Sequence, residues 1–158
     1  MVAAARMVIS AHEPPPSHRQ LSRALPIYPN GVHAYDLMRE LERRGWSALH
    51  FTGPPEAIAR LVEAGFGVIA MVTSKRGRHS VAVTGAERLP DVAEPNQCGR
   101  ALYRLLINDP NHSKAEWITA RDFAAQQSGQ QAMVIFKPES RGTLSAKRFP
   151  LEVAARID

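Results

Sequence analysis

The chain is predicted to be an α+β domain, with helices gathered in its first half and a mostly antiparallel sheet in its second. Three observations predict it. Between residues 2 and 44, apolar positions recur at helical spacing in three segments separated by proline or glycine. From residue 66 onward the texture changes to short apolar or alternating runs bounded by turn residues. Between "GVIAMVTS" and "HSVAVTG" stand only the four residues "KRGR", a hairpin spacing that makes the two strands antiparallel.

Each element follows from local signals. "VAAARMVIS", Val2 to Ser10, reads as a short helix buried on most sides, and "HEPPPS" stops it because successive prolines cannot continue a helix. Ser17 followed by Gln20 is a capping-box pattern that opens "HRQLSRAL", which ends before Pro26. A third helix runs through "VHAYDLMRELERR", with Leu37, Met38 and Leu41 on one face and Gly45 as terminator. "WSALHF" reads as a strand. "PPEAIARLVEAG" reads as a helix with prolines in its first turn and Ile58, Leu61 and Val62 facing inward. "FGVIAMVTS" is apolar throughout, as a central strand is, and "HSVAVTG" is its hairpin partner. A loop with Pro90, Pro95 and Gly99 leads to the strand "ALYRLLIND"; Thr119 with Asp122 caps a helix through "ARDFAAQQS", and "QAMVIFK" closes the sheet. Residues 1–137 are expected to form one domain, and the weakly patterned residues 138–158 a C-terminal extension.

Composition narrows the function classes. The chain of 158 residues, 44% hydrophobic, is long enough to bury a core of its own. It has one cysteine, no apolar run of the roughly 20 residues that a membrane helix needs, and no classical signal peptide. A soluble protein without an internal disulfide is expected, cytoplasmic or exported, and its alanine- and arginine-rich texture is bacterial in character. The net charge of +5 raises the question of acidic partners, but the basic residues are scattered and aromatics make up only 6%, which argues against nucleic acid. Only Lys75, Arg76 and Arg78 cluster tightly, as a solvated hairpin tip or as a steering patch for an acidic peptide. The six histidines show no metal-ligand spacing and no phosphate loop is present, so neither metal nor cofactor is implied.

His79 and Asp109 are the residues that raise a chemical question. With "HSVAVTG" and "ALYRLLI" as antiparallel neighbours, residue 79 should fall opposite about residue 107, placing Asp109 just beyond the same end. Alternation puts His79 on the face of Val81 and Val83, where a ring nitrogen needs a partner, and a carboxylate there would fix the tautomer and leave the other nitrogen for a reacting group. A structural histidine at a strand edge and an Asp-Pro turn explain the same residues; the local pattern leaves both open.

The wider pattern adds a resemblance. "GVIAMVTSKRGRHSVAVTGAE", "LYRLLINDP" and "ITARDFAAQQSGQQAMVIFKP", in that order, resemble the papain-like cysteine peptidases of the bacteriocin-processing, double-glycine leader class and the related avirulence-effector proteases of bacteria. "AAARMVIS" is similar to their nucleophile helix, "LSRAL" to the small helix after it and "DLMRELERRGW" to the helix before the first strand. The resemblance covers about residues 1 to 137. It implies a papain-like fold, a peptide or protein substrate, His79 as general base and Asp109 as its orienting partner.

The chain departs from that pattern at the nucleophile. Aligning "ARMV" with the family places the catalytic cysteine immediately before Met1, and the oxyanion-stabilising glutamine further upstream; neither is in the sequence. Cys98 is the one thiol, and the expected register puts it at the far end of the strands, about 20 Å from His79 and too far for proton transfer. Ser80 is excluded as a nucleophile for His79 because consecutive strand residues face opposite sides. Two readings follow. One is a cysteine peptidase domain that lacks its nucleophile as written; the other is a catalytically silent relative that binds a peptide or partner protein in the former substrate cleft.

Overall fold

Five helices and six strands form the protein in a computed structural model that describes residues 1–29, 31–74, 77–89 and 102–138. The helices are α1 (Val2–Ser10), α2 (His18–Ala24), α3 (Ala34–Arg43), α4 (Pro55–Glu63) and α5 (Ala120–Gln126). The strands are β1 (Ser47–Thr52), β2 (Gly67–Ser74), β3 (Gly77–Arg88), β4 (Tyr103–Asn108), β5 (Glu116–Thr119) and β6 (Gln127–Phe136). They make one sheet in the order β1-β6-β2-β3-β4-β5, and all five strand pairings are antiparallel. The α+β class stands. Lys75, Arg76, Cys98 and the extension from residue 139 lie outside the described residues.

The central position of β2, between β6 and β3, explains its unbroken apolar run. Both of its faces are buried. Val68, Ala70 and Val72 face one core with Ile58 and Ala59 of α4 and Phe123 of α5. Ile69 faces a second core with Val8 and Ile9 of α1, Leu21 of α2, and Leu37 and Leu41 of α3. The first three helices thus cover one face of the sheet, as their sequence order suggests, while α4 and α5 cover the other.

Glycine sets how closely α1 approaches. A Cβ added at Gly67 would stand 2.0 Å from Val8 Cγ1, and Ala4 and Ala5 are fully buried on the same helix. Small residues let the α1 backbone lie directly on the sheet. A polar tie fixes the chain after the helix: Trp46 Nε1 donates to Glu13 Oε1 at 2.9 Å, while Lys137, just past β6, pairs with the same carboxylate and sits 5.3 Å over the Trp46 ring.

The capping signals are realised. Ser17 Oγ accepts from the Gln20 amide at 3.2 Å, and Gln20 Oε1 accepts from the Ser17 amide at 2.7 Å. Replacing Ser17 with alanine removes one of the two bonds and should cost about 1 kcal/mol, read as a shift in urea midpoint at unchanged m-value. Past the end of α3, Gly45 takes φ +80, a conformation that ends the helix cheaply only in a residue without Cβ.

Two details of the sheet differ from expectation. Strand β5 was not anticipated: "EWIT" is four residues long, an edge strand held by pairing with β4 and not by a burial pattern. The register of β3 on β4 differs by four residues from the one expected, with Val83 opposite Ile107 and Ala82 opposite Asn108, and it shifts at a bulge between Val83 and Gly85.

Candidate active site

One end of β3 carries the histidine. His79 begins the buried part of the strand, after exposed Gly77 and Arg78, and its ring is half-buried. Asp109 directly follows Asn108, the residue paired with Ala82. Continuing that register sets Asp109 across from Val81, so His79 is its diagonal neighbour and not its direct one. A diagonal pair is still within reach of these side chains, and His79 Nε2 meets Asp109 Oδ2 at 2.8 Å. The meeting survives the change of register because the ring and the carboxylate together span the extra separation.

The aspartate is held from behind. Residues 109–112 form a turn closed by the His112 amide on the Asp109 carbonyl at 2.9 Å, and the Asn111 amide donates to Asp109 Oδ1 at the same distance. This is the Asx arrangement that Asp-Pro-Asn sequences favour, and it points the second oxygen at the imidazole. His112 Nδ1 lies 3.6 Å from that oxygen, on an exposed ring.

Burial pushes the Asp109 carboxyl up, but the Asn111 amide, the His79 hydrogen bond and the charges of His79 and His112 outweigh it, leaving the group below its ordinary 3.8. A carboxyl depressed in the folded state contributes stability that is fully present above its unfolded value and is lost as pH falls through the folded one. Unfolding followed from pH 6 to 2 should therefore show an acid limb below about pH 4 that is shallower in Asp109→Asn.

His79 opens onto a cavity of about 680 Å³. Its floor is the face of the sheet that α1, α2 and α3 cover, with His50 of β1, Gln131 and Met133 of β6, Ile69 and Met71 of β2, and Arg78 and Ser80 of β3. Its roof is the segment 31–34 before α3 together with Met1, the N-cap residue of α1. The head of the first helix and the histidine thus line one space. Ser80, next to His79 in the chain and part of the same cavity floor, is buried with its hydroxyl on Met71 Sδ at 3.9 Å.

Sequence reasoning named His79, Asp109 and Arg78 but missed His33, His50 and Gln131. His50 and Gln131 belong to β1 and β6, far apart in the chain, and no local signal says that these strands pair. The Asn111 amide was legible in principle from the Asp-Pro-Asn turn. Among the described residues no group of three or more His, Cys, Asp or Glu could hold a metal ion, and no helix is long and apolar enough to cross a membrane.

No protein-family model matches the sequence, and neither does any curated protein. Solved structures do match the fold. The peptidase domain of Streptococcus ComA, a bifunctional ABC transporter involved in a quorum-sensing pathway, is 15% identical with a TM-score of 0.57, the match covering 85% of each chain. A double-glycine-motif protease from an AMS/PCAT transporter, solved in complex with the leader peptide, is 18% identical with a TM-score of 0.58 over 85% of this chain and 80% of that one. The chain has the papain-like double-glycine peptidase fold. The N-terminal peptidase C39-like domain of a toxin secretion ATP-binding protein from Vibrio parahaemolyticus shares this fold, at 17% identity and TM-score 0.58 over 86% of this chain and 95% of that one. At such identities the likeness speaks for the double-glycine peptidase fold alone.

Proposed function

We propose that this is a papain-like cysteine peptidase domain in which His79 is the general base and Asp109 orients it. The observation that carries this reading is the 2.8 Å contact of Nε2 with the Asp109 carboxylate, at a residue that borders the same cavity as the head of α1. With Nε2–H donated to Asp109, Nδ1 keeps its lone pair and can take a thiol proton. A cysteine directly before Met1 would stand at the helix N-terminus, whose partial positive charge favours the thiolate. Thiolate attack on a peptide carbonyl would then form an acyl-enzyme; His79 would protonate the departing amine and afterwards draw a proton from water to release the acid.

A second reading keeps the cleft without the chemistry: a catalytically silent module that holds a peptide in the same cavity. The solved complex of a protease of this fold with its leader peptide supports a peptide as the ligand under either reading.

One experiment separates them. The chain as written, and the chain carrying Cys immediately before Met1, are each mixed with a synthetic leader peptide ending in Gly-Gly followed by a fluorogenic amide. Cleavage by the cysteine-bearing form, abolished by His79→Ala, supports the peptidase. Peptide binding by both forms without cleavage by either selects the silent module, and absence of both binding and cleavage would reject the reading. A thiol-reactive probe adds a check on Cys98: labelling at ordinary free-thiol rates, unchanged by His79→Ala, removes it as a nucleophile.

A further inference from the structure

The cavity beside His79 is asymmetric in charge. The ionisable side chains that line it are His33, His50, His79 and Arg78, and among the described residues no aspartate or glutamate does. Asp109 engages His79 without lining the cavity. Among the described residues, every ionisable side chain that lines the cavity is therefore basic.

Arg78 is the permanent charge among them. Its guanidinium donates to Gln131 Oε1 at 3.3 Å, a long bond to a neutral acceptor, and has no carboxylate partner among the described residues. A guanidinium offers a planar fork of donors that a carboxylate fills with two parallel bonds, and one amide oxygen leaves most of that fork unused. The bond to Gln131 sets the direction of the side chain across the cavity floor. Ile69, Met71 and Met133 line the same cavity, while Arg78 itself is exposed, so an ion pair formed there is open to screening by salt.

We infer that the cleft selects peptides bearing a carboxylate, which pairs with Arg78 beside the reacting position. This deepens the proposed function and rests on the cleft being a peptide site. Two sources have this chemistry: an acidic side chain within the peptide, and the free C-terminal carboxylate of a peptide whose end lies in the cleft.

Fluorescence anisotropy with four labelled peptides ending in Gly-Gly tests it: neutral and amidated, neutral with a free C-terminus, and each of these with one internal glutamate. The wild-type chain should bind at least one carboxylate-bearing peptide about tenfold more tightly than the neutral amide, and the preference should shrink between 50 and 300 mM salt. In Arg78→Gln the preference should fall to within twofold, while Arg78→Lys keeps part of it. Tight binding of the free-acid peptides would identify the terminus as the source, and of the glutamate peptides the side chain. Equal binding of all four peptides, or a preference that persists in Arg78→Gln, overturns the inference and leaves the peptide site standing. Failure of every peptide to bind overturns both.

Discussion

Gly67→Ala is expected to destabilise the protein by about 3 kcal/mol, at the upper end of what overpacking one methyl usually costs. The new Cβ would lie 2.0 Å from Val8 Cγ1, well inside van der Waals contact, and Val8 is itself buried between α1 and the sheet. Neither side yields cheaply. Gly67 belongs to β2, paired on both edges, and Val8 belongs to a helix whose neighbours Ala4, Ala5 and Ile9 are fully buried. The strain should be relieved by moving α1 outward, which also displaces its head from the cavity shared with His79. A Gly67→Ala, Val8→Ala double variant removes the clashing methyl groups and should be less destabilised than the sum of the single changes, by 1 kcal/mol or more. Chemical denaturation of the three variants measures this, and strict additivity would show that the two residues do not collide.

The second large effect is on chemistry. In the form that carries cysteine before Met1, Asp109→Asn is expected to lower kcat by about 10² to 10⁴ while leaving the fold intact. Asparagine can keep Oδ1 as acceptor for the Asn111 amide, so the turn at 109–112 persists. In place of Oδ2 it then presents an amide that donates to Nε2, which drives the ring proton onto Nδ1, the nitrogen needed as base. The tautomer becomes wrong without loss of packing. His112→Ala, which removes an exposed ring 3.6 Å from the same oxygen, should change the rate less than threefold. Retention of more than a tenth of the activity by Asp109→Asn would reduce the aspartate to a turn former.

Much of this architecture could be read from local chemistry. The helices announce themselves by Ser17 with Gln20, Pro55 in the first turn of α4, Thr119 with Asp122, and Gly45 and Gly65 past the ends of α3 and α4. The hairpin of β2 and β3 follows from the short run "KRGR" between two apolar stretches, of which Gly77 and Arg78 join β3 and leave two residues as the connection. What local signals could not supply is pairing between distant segments. The bulge at Val83–Gly85 changes the β3–β4 register and carries no mark in the sequence beyond one glycine, where an added Cβ would meet Leu106 and Trp117. β5 was invisible because Trp117 stays exposed, stacked with Arg104 at 5.0 Å, so its four residues never show a buried alternation. The same limit applies to the site. His79 lies on β3 and Asp109 just past the end of β4, the next strand, so the two could be brought together on paper, whereas His50 and Gln131 reach the cavity only through the pairing of β1 with β6.

That pairing has a consequence for how the molecule comes into being on the ribosome. The last strand described is the second across the sheet, wedged between β1 and β2. A nascent chain that has emerged only as far as residue 126 holds β1 with no neighbour to bond, and a cavity missing the wall that Gln131 and Met133 supply. Helices and the β2–β3 hairpin can form as they leave the exit tunnel, but closure waits for the final ten residues of the sheet. Any competence of the cleft therefore begins only once β6 has emerged and taken its place between β1 and β2.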